Sequence, residues 1–427
     1  MFFRKSKIKK ELEKTEELIR LSQKVYDYRK DILAPHDAKE LKESIDALEV
    51  LRKKSDVTVA ELKTGYDHLD GVAKKCGGNI YPVSFWSENA EMIVVAATLA
   101  LGIRTFFLQP FAIPTNSMYP TFYGMTSQVY AADAKEPSLA KRIFRKITLG
   151  ASHYDIKAPE TGEVSIPIFT PKDPLSALGI IRFEKVRGFR MLILPTPMRE
   201  YTLLVGKNTV KIKVPWDFRL EDIIQKTYYP ELESFHQIFE NAVKQKQIEV
   251  VGTVPVLKTG KTVEKSQSVL SFDILAGDML FVDRFTYNFR YPKIGEPIVF
   301  KTINIEGMRD FTGKPEDKYY IKRLVGLAGD TLEIKEPTLF RNGEPITGSP
   351  IFDLNTNKVG LYPGYIAAKN LSSGKQEHIT EGYFYAMGDN SPYSADSRSW
   401  GFVPEKEVIG KAFFIFYPFT KRWGFAK

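Results

Sequence analysis

The apolar run Met92–Phe111, MIVVAATLALGIRTFFLQPF, constrains this chain more than any other stretch. A helix that crosses a bilayer needs about 20 mostly apolar residues, and this run just meets that length. Arg104 falls toward its far end, where a long cationic side chain can reach the headgroups. The run begins too far into the chain, and without a basic leader and cleavage site, to be a cleavable signal peptide. Its flanks give an orientation. Lys74 and Lys75 precede it with many more basic residues upstream, whereas Ala112 to Ala134 holds no Lys or Arg. The positive-inside rule then predicts a single-pass protein with a cytoplasmic N-terminus and everything after the span outside. A few residues past the run, in IPTNSMYPTF, stands Ser117. A nucleophile at that place implies substrates that also reach the membrane surface.

Composition narrows the alternatives. A chain of 427 residues, 43% hydrophobic, has length for two to three domains and a real core. Its net charge of +9 is spread out, which fits attraction to anionic lipid better than a nucleic-acid groove. No zinc-finger spacing, phosphate-binding loop or RNA-binding aromatic motif is present, so no nucleic-acid partner is expected. A single cysteine, Cys76, excludes an intramolecular disulfide. The five histidines are scattered without an HExxH, so neither a metal site nor a Ser-His-Asp triad is expected, and no cofactor is called for.

Residues 1–80 read as a polar, helical or coiled-coil-like cytoplasmic domain. Ile8, Leu12, Ile19, Val25 and Tyr28 fall near helical spacing, and Ala34-Pro35 breaks the pattern. Asp37 followed by Glu40 resembles a capping box ahead of a stripe of Leu41, Ile45, Leu48 and Leu51. A third helix is expected from Thr58 to Lys75. Nothing in the sequence selects a partner for this region. After the span, which is predicted as residues 92–111, short runs such as MLILP, VKIKV, MLFVDRF, PIVF, YFYAM and KAFFIFY are punctuated by Gly, Pro, Asn and Asp. That pattern predicts an all-β part over 112–427. A block at about 126–270, with a helix near Glu231 to Lys246, carries no catalytic motif and reads as an insertion.

Three stretches carry chemistry. Pro114 and Pro120 stiffen the backbone around Ser117 and disfavour helix. Serine becomes a nucleophile only with a base nearby, and Lys322, in YYIKRLVGLAGD, is the candidate. In a strand Lys322 and Arg323 point to opposite faces, so one enters a core while the other meets solvent or a carboxylate. A free lysine titrates at about 10.4, and desolvation lowers that value until a neutral amine can accept the serine proton. The third stretch, MGDNSPYSADSRSWGFVP (Met387 to Pro404), is dense in turn formers. Ser394 is placed to bond and orient the lysine amine, and Asp396 with Arg398 to form an ion pair that fixes the loop.

Together these stretches resemble bacterial type I signal peptidases, also called leader peptidases, the Ser/Lys proteases of peptidase family S26. The resemblance runs through a spanning helix, S-M-x-P-T at Ser117 to Thr121, and Gly277-Asp278 to Val282 with Tyr287. It continues through Pro292, Gly295 to Phe300, Tyr320 to Asp330 and Gly388 to Pro404. It implies a mainly β protein: an all-β extracytoplasmic catalytic domain with an inserted block, one transmembrane helix and a cytoplasmic helical segment. It implies a serine endopeptidase of the cell (inner) membrane that removes signal peptides from exported preproteins after small residues at −1 and −3. In that reading Ser117 is the nucleophile, Lys322 the general base, and the Ser117 amide with the Thr115 hydroxyl the oxyanion hole. Ser394, Asp396 and Arg398 support the base, and Phe111, Ile113, Met118 and Leu324 line the substrate pockets. Phe122, Tyr123, Phe285 and Phe289 are expected at the membrane surface. The partners implied are preprotein signal peptides and membrane lipid. A catalytically silent membrane scaffold is the alternative from a different class, and a self-cleaving Ser/Lys protease of the repressor type is a third. The intact Ser117, Lys322 and Ser394 disfavour the scaffold, and the spanning helix disfavours the repressor type.

Overall fold

The computed structural model describes residues 7–82, 85–131, 134, 136–170, 173, 176, 179–190, 194–232, 234–310 and 313–426. The chain divides into two compact units, Met1–Leu101 and Gly102–Lys427.

The first unit is helical because its apolar residues recur at turn spacing. Helices α1 (Lys7–Arg29), α2 (Pro35–Arg52) and α3 (Val59–Gly77) bury Leu18, Val25, Leu41, Ile45, Leu48, Leu69, Val72 and Cys76 in one core. Pro35 occupies the first turn of α2, where its missing N–H costs nothing. The capping box expected at Asp37 and Glu40 is not formed, because the helix already starts at Pro35 behind Ala34, whose side chain makes no cap. The box sits at α3 instead. Thr58 accepts from the Glu61 amide, and Glu61 accepts from the Thr58 amide at 2.8 Å.

Helix α4 (Phe85–Phe106) contains the window Asn89–Phe106, long and apolar enough to cross a membrane and unburied throughout. The helix ends five residues short of the expected 92–111. Leu108–Ala112 is an edge strand paired antiparallel with Met279–Asp283. Pro110 has no N–H to continue a helix, and a sheet edge tolerates it.

The second unit is built on an eight-stranded antiparallel sheet. Its order is Leu108–Ala112, Met279–Asp283, Val408–Tyr417, Pro297–Lys301, Tyr319–Gly326, Tyr383–Met387 and Val403–Pro404, with Gly424–Phe425 beside Val408–Tyr417. Alternation along the strands divides the interior. One face buries Ile113, Met118, Phe122, Leu280, Val282, Val299 and Ile415, and the other Ile298, Phe300, Leu324, Phe384, Ala386 and Trp400. A smaller sheet of Thr331–Lys335, Thr338–Arg341, Glu344–Pro345 and Gln376–His378 follows the strand that carries Lys322.

Between Thr126 and Leu275 the chain builds a core of its own. A three-stranded sheet (Thr126–Val129, Ser268–Leu275, Ser152–Lys157) and a six-stranded sheet around Leu194–Val205 share one cluster that includes Ile166, Tyr201, Leu203, Ile224 and Phe272. The helix expected near Glu231 to Lys246 spans Phe235–Lys244, capped by Ser234, and a second helix, Glu221–Tyr228, packs with it.

Candidate active site

Ser117 lies in a single tight turn, Asn116–Met118, which Thr115 enters in extended conformation. The turn is tied down from its own side by Asn116. Its Oδ1 accepts from the Gly124 amide at 2.9 Å, and its Nδ2 donates to the Met125 carbonyl at 3.3 Å. From the other side the Gly388–Asn390 loop clamps it. The Asn390 amide donates to the Ser117 carbonyl at 3.1 Å, and the Asn390 side chain to the Asn116 carbonyl at 3.0 Å. Gly388 has to be glycine, because a Cβ there would overlap both the Ser117 carbonyl and the Ser394 side chain. The nucleophile candidate is therefore held by backbone contacts from two distant segments and is 8% exposed.

Lys322 reaches it from the strand Tyr319–Gly326, opposite Ile298. Its Nζ stands 2.5 Å from the Ser117 Oγ. Burial pushes the amine down from its ordinary value to about 8, the carboxylates of Asp396 and Asp389 oppose that fall, and Arg398 adds to it. Lys322 is only 3% exposed, and its amine donates to the Ser117 hydroxyl.

Arg323 turns to the opposite face, as strand alternation requires, and meets a carboxylate rather than solvent. Its Nε and Nη2 grip Asp389 at 2.7 Å each, and Nη1 donates to the Gly295 carbonyl at 2.6 Å. Asp389 also accepts from the Thr121 hydroxyl at 2.6 Å, so one buried ion pair joins the lysine strand, the serine loop and the Gly388 loop. Asp389, Asn390 and Thr121 were not singled out as site residues. Their signal was present, since each lies within a quoted motif, but sequence could not show that these motifs meet.

Asp396 and Arg398 form the expected ion pair, at 2.7 Å and nearly fully buried. Arg398 further donates to the Ser391 hydroxyl, the Ser391 carbonyl and the Ile366 carbonyl, each at 2.7 Å, and Asp396 accepts from the Gly388 amide at 3.1 Å. Ser394 differs from expectation. Its hydroxyl is buried with no hydrogen-bond partner among the described residues, and the Lys322 amine is directed to Ser117 instead. Thr115 is exposed, and its hydroxyl does not cap the following turn.

The expected pocket-lining residues are mostly core. Ile113 and Met118 pack with Phe122, and Leu324 packs with Ile298 and Ala386, all nearly or fully buried. Only Phe111 stays half-exposed, tilted against Tyr319 at 5.0 Å. Phe122 is fully buried too, because the tight turn after Ser117 points it inward, and Tyr123 lies under the Arg422 guanidinium at 3.5 Å. Phe285 and Phe289 are exposed. In the helical unit His36, Asp37 and Glu40 approach one another, but both carboxylates already hold Lys75.

The chain has recognisable relatives. The family model described as signal peptidase, peptidase S26, matches residues 253–417. That segment contains Lys322, Asp389, Ser394, Asp396 and Arg398, and Ser117 precedes it. Probable signal peptidase I-1 of Synechocystis is 32% identical over 148 residues, 35% of this chain and 66% of that protein. Signal peptidase IB of Staphylococcus aureus is 36% identical over 106 residues, 24% of this chain and 55% of that one. Signal peptidase I of Bacillus licheniformis is 33% identical over 110 residues, 26% and 56% of the two chains. This chain thus spans between about half and two thirds of the length of these relatives. A solved signal peptidase I of Enterococcus faecalis aligns at 26% identity, covering 29% of this chain and 97% of that one, with a TM-score of 0.22.

Proposed function

We propose, on the premise that this chain belongs to the signal peptidase family S26, that it is a membrane-anchored serine endopeptidase cleaving signal peptides from exported preproteins. One observation carries the proposal: a buried lysine whose amine is lowered to about 8 stands 2.5 Å from a serine hydroxyl.

The steps follow from that geometry. Neutral Lys322 takes the Ser117 proton as Oγ attacks the scissile carbonyl, and the lysine becomes an ammonium. Negative charge collects on the former carbonyl oxygen, where the Ser117 amide and the Thr115 hydroxyl serve as donors. The ammonium then gives its proton to the departing amine, leaving the signal peptide as an ester on Ser117. Water, deprotonated by the same amine, hydrolyses the ester. Arg323–Asp389 and Asp396–Arg398 touch neither reacting atom. They hold the three segments in register, which is what keeps the serine and the amine at bonding distance.

The single span α4 anchors the enzyme, with the helical unit in the cytoplasm and Ser117 outside. Residues 112–427 act as the protease domain with 126–270 inserted, and the preference is for small residues at −1 and −3. Phe111, which stays half-exposed, is the side chain proposed to contact a substrate. The test is cleavage of a preprotein with Ala-x-Ala before its mature end by full-length protein in liposomes. Cleavage at that junction by the wild type, and none by Ser117→Ala, supports the proposal. Cleavage by Ser117→Ala overturns it.

A further inference from the structure

One helix in the inserted block is turned inside out. Leu139–Leu149 has the sequence LAKRIFRKITL and buries no side chain. Leu139, Ile143, Phe144 and Ile147 fall on one stripe at helical spacing and are 72, 51, 66 and 64% exposed. A surface helix normally packs such a stripe against its core. Here the polar side faces inward. Arg145 binds Asp273 at 2.8 Å and the Gln128 side chain at 2.8 Å, with His153 and Tyr130 on the same carboxylate.

The helix is firmly fixed in that pose. Ser138 caps its start and Gly150 closes its end in left-handed conformation at φ 63°. Its last carbonyls accept from the Tyr417 hydroxyl, the Phe419 amide and the Ala276 amide, so it is pinned to the end of the main sheet. Phe419, 60% exposed, stands beside it. Lys141, Arg142 and Lys146 border the apolar stripe, all exposed and forming no ion pair among the described residues.

We infer that Leu139–Leu149 lies in the interface of an anionic bilayer, a second membrane contact for the protease domain. An apolar stripe bordered by cations is the pattern that inserts to the headgroup boundary and favours anionic lipid. The occupant follows from the same unit, whose first sheet strand begins two residues after the apolar helix α4 ends. A bilayer therefore borders this unit, and the cations select its anionic headgroups over a neutral protein surface. The inference rests on the proposed anchoring. Its function would be to fix the tilt of the domain on the membrane, so that the site meets cleavage junctions at a set height.

The test uses full-length protein in nanodiscs, with Phe144→Cys carrying an environment-sensitive fluorophore. Cys76 is 1% exposed and is spared, and labelled wild type serves as the control. With phosphatidylglycerol present the emission shifts to the blue and is quenched by spin-labelled lipid. The three cations together favour the anionic surface by roughly 100-fold. Pure phosphatidylcholine, or Lys141→Glu/Arg142→Glu/Lys146→Glu, reverses both signals. An unshifted spectrum overturns the inference. So does a blue shift without lipid quenching, which would mean that protein covers the stripe, or quenching that ignores lipid charge. Resistance to carbonate extraction, read on the same protein in liposomes, separates failure of the anchor from failure of this contact.

Discussion

At Lys322 burial and charge oppose each other, and the balance fixes a pH dependence. The amine is lowered to about 8, so the neutral base fraction grows as pH rises toward that value. Cleavage, followed as kcat/KM, is predicted to climb with unit slope below about pH 8 and level off above it. A flat profile from pH 6 to 9 would exclude this lysine as the base, taking about 6 and 9 as points well to either side. Stability carries the opposite half of the same linkage. The folded-state value lies below the ordinary 10.5, so the unfolded chain holds this proton more tightly. Lys322 therefore adds stability as pH rises from about 8 to 10.5 and withholds it below about 8. Lys322→Met removes a buried amine, so at neutral pH its Tm is expected to equal or exceed the wild-type value while cleavage falls by about 10²–10⁴-fold. Ser394 gives a second prediction. Its buried hydroxyl has no partner among the described residues, so Ser394→Ala is expected to stabilise by about 1 kcal/mol in denaturant titration. A loss of that size would instead show that the hydroxyl is bonded in solution.

At the scale of elements, the two buried ion pairs hold the loops that present the site. Removing one partner leaves the other charged and unpaired. Arg398→Met and Asp389→Ala are each predicted to cost about 3–5 kcal/mol by chemical denaturation. A loss below about 1 kcal/mol would mean that water reaches these groups. Much of this level was readable in the sequence, and the reasons differ by residue. Ser117, Lys322 and the Asp396–Arg398 pair were legible because each sits in a motif whose residue types leave few roles. Strand alternation put Lys322 and Arg323 on opposite faces and left solvent or a carboxylate open for one of them; the carboxylate, Asp389, could be named only once the strands were paired. Ile113, Met118 and Leu324, expected as pocket lining, pack in the core, and an apolar residue near a nucleophile looks the same in sequence whether it faces a groove or a core. LQPF was read as the end of the span because its apolar composition suits a helix and an edge strand alike. Capping-box spacing occurs at both Asp37 and Thr58, and Pro35 decided between them. The helix Leu139–Leu149 was not anticipated, because its apolar stripe is short.

At the scale of the molecule, a helical unit, an apolar helix and a β unit follow one another, and the inserted block keeps a core separate from that of the main sheet. The proposed topology predicts that protease added outside sealed vesicles of inside-out orientation digests the helical unit and spares residues after α4. The reverse pattern would invert the assigned sidedness. The most direct test of the central claim is cleavage of an Ala-x-Ala preprotein in liposomes by wild type, Ser117→Ala and Lys322→Met side by side, with Tm measured on each. The Ser/Lys account predicts cleavage at that junction by the wild type alone, with all three proteins folded. Cleavage by a folded Lys322→Met at the wild-type rate would contradict it.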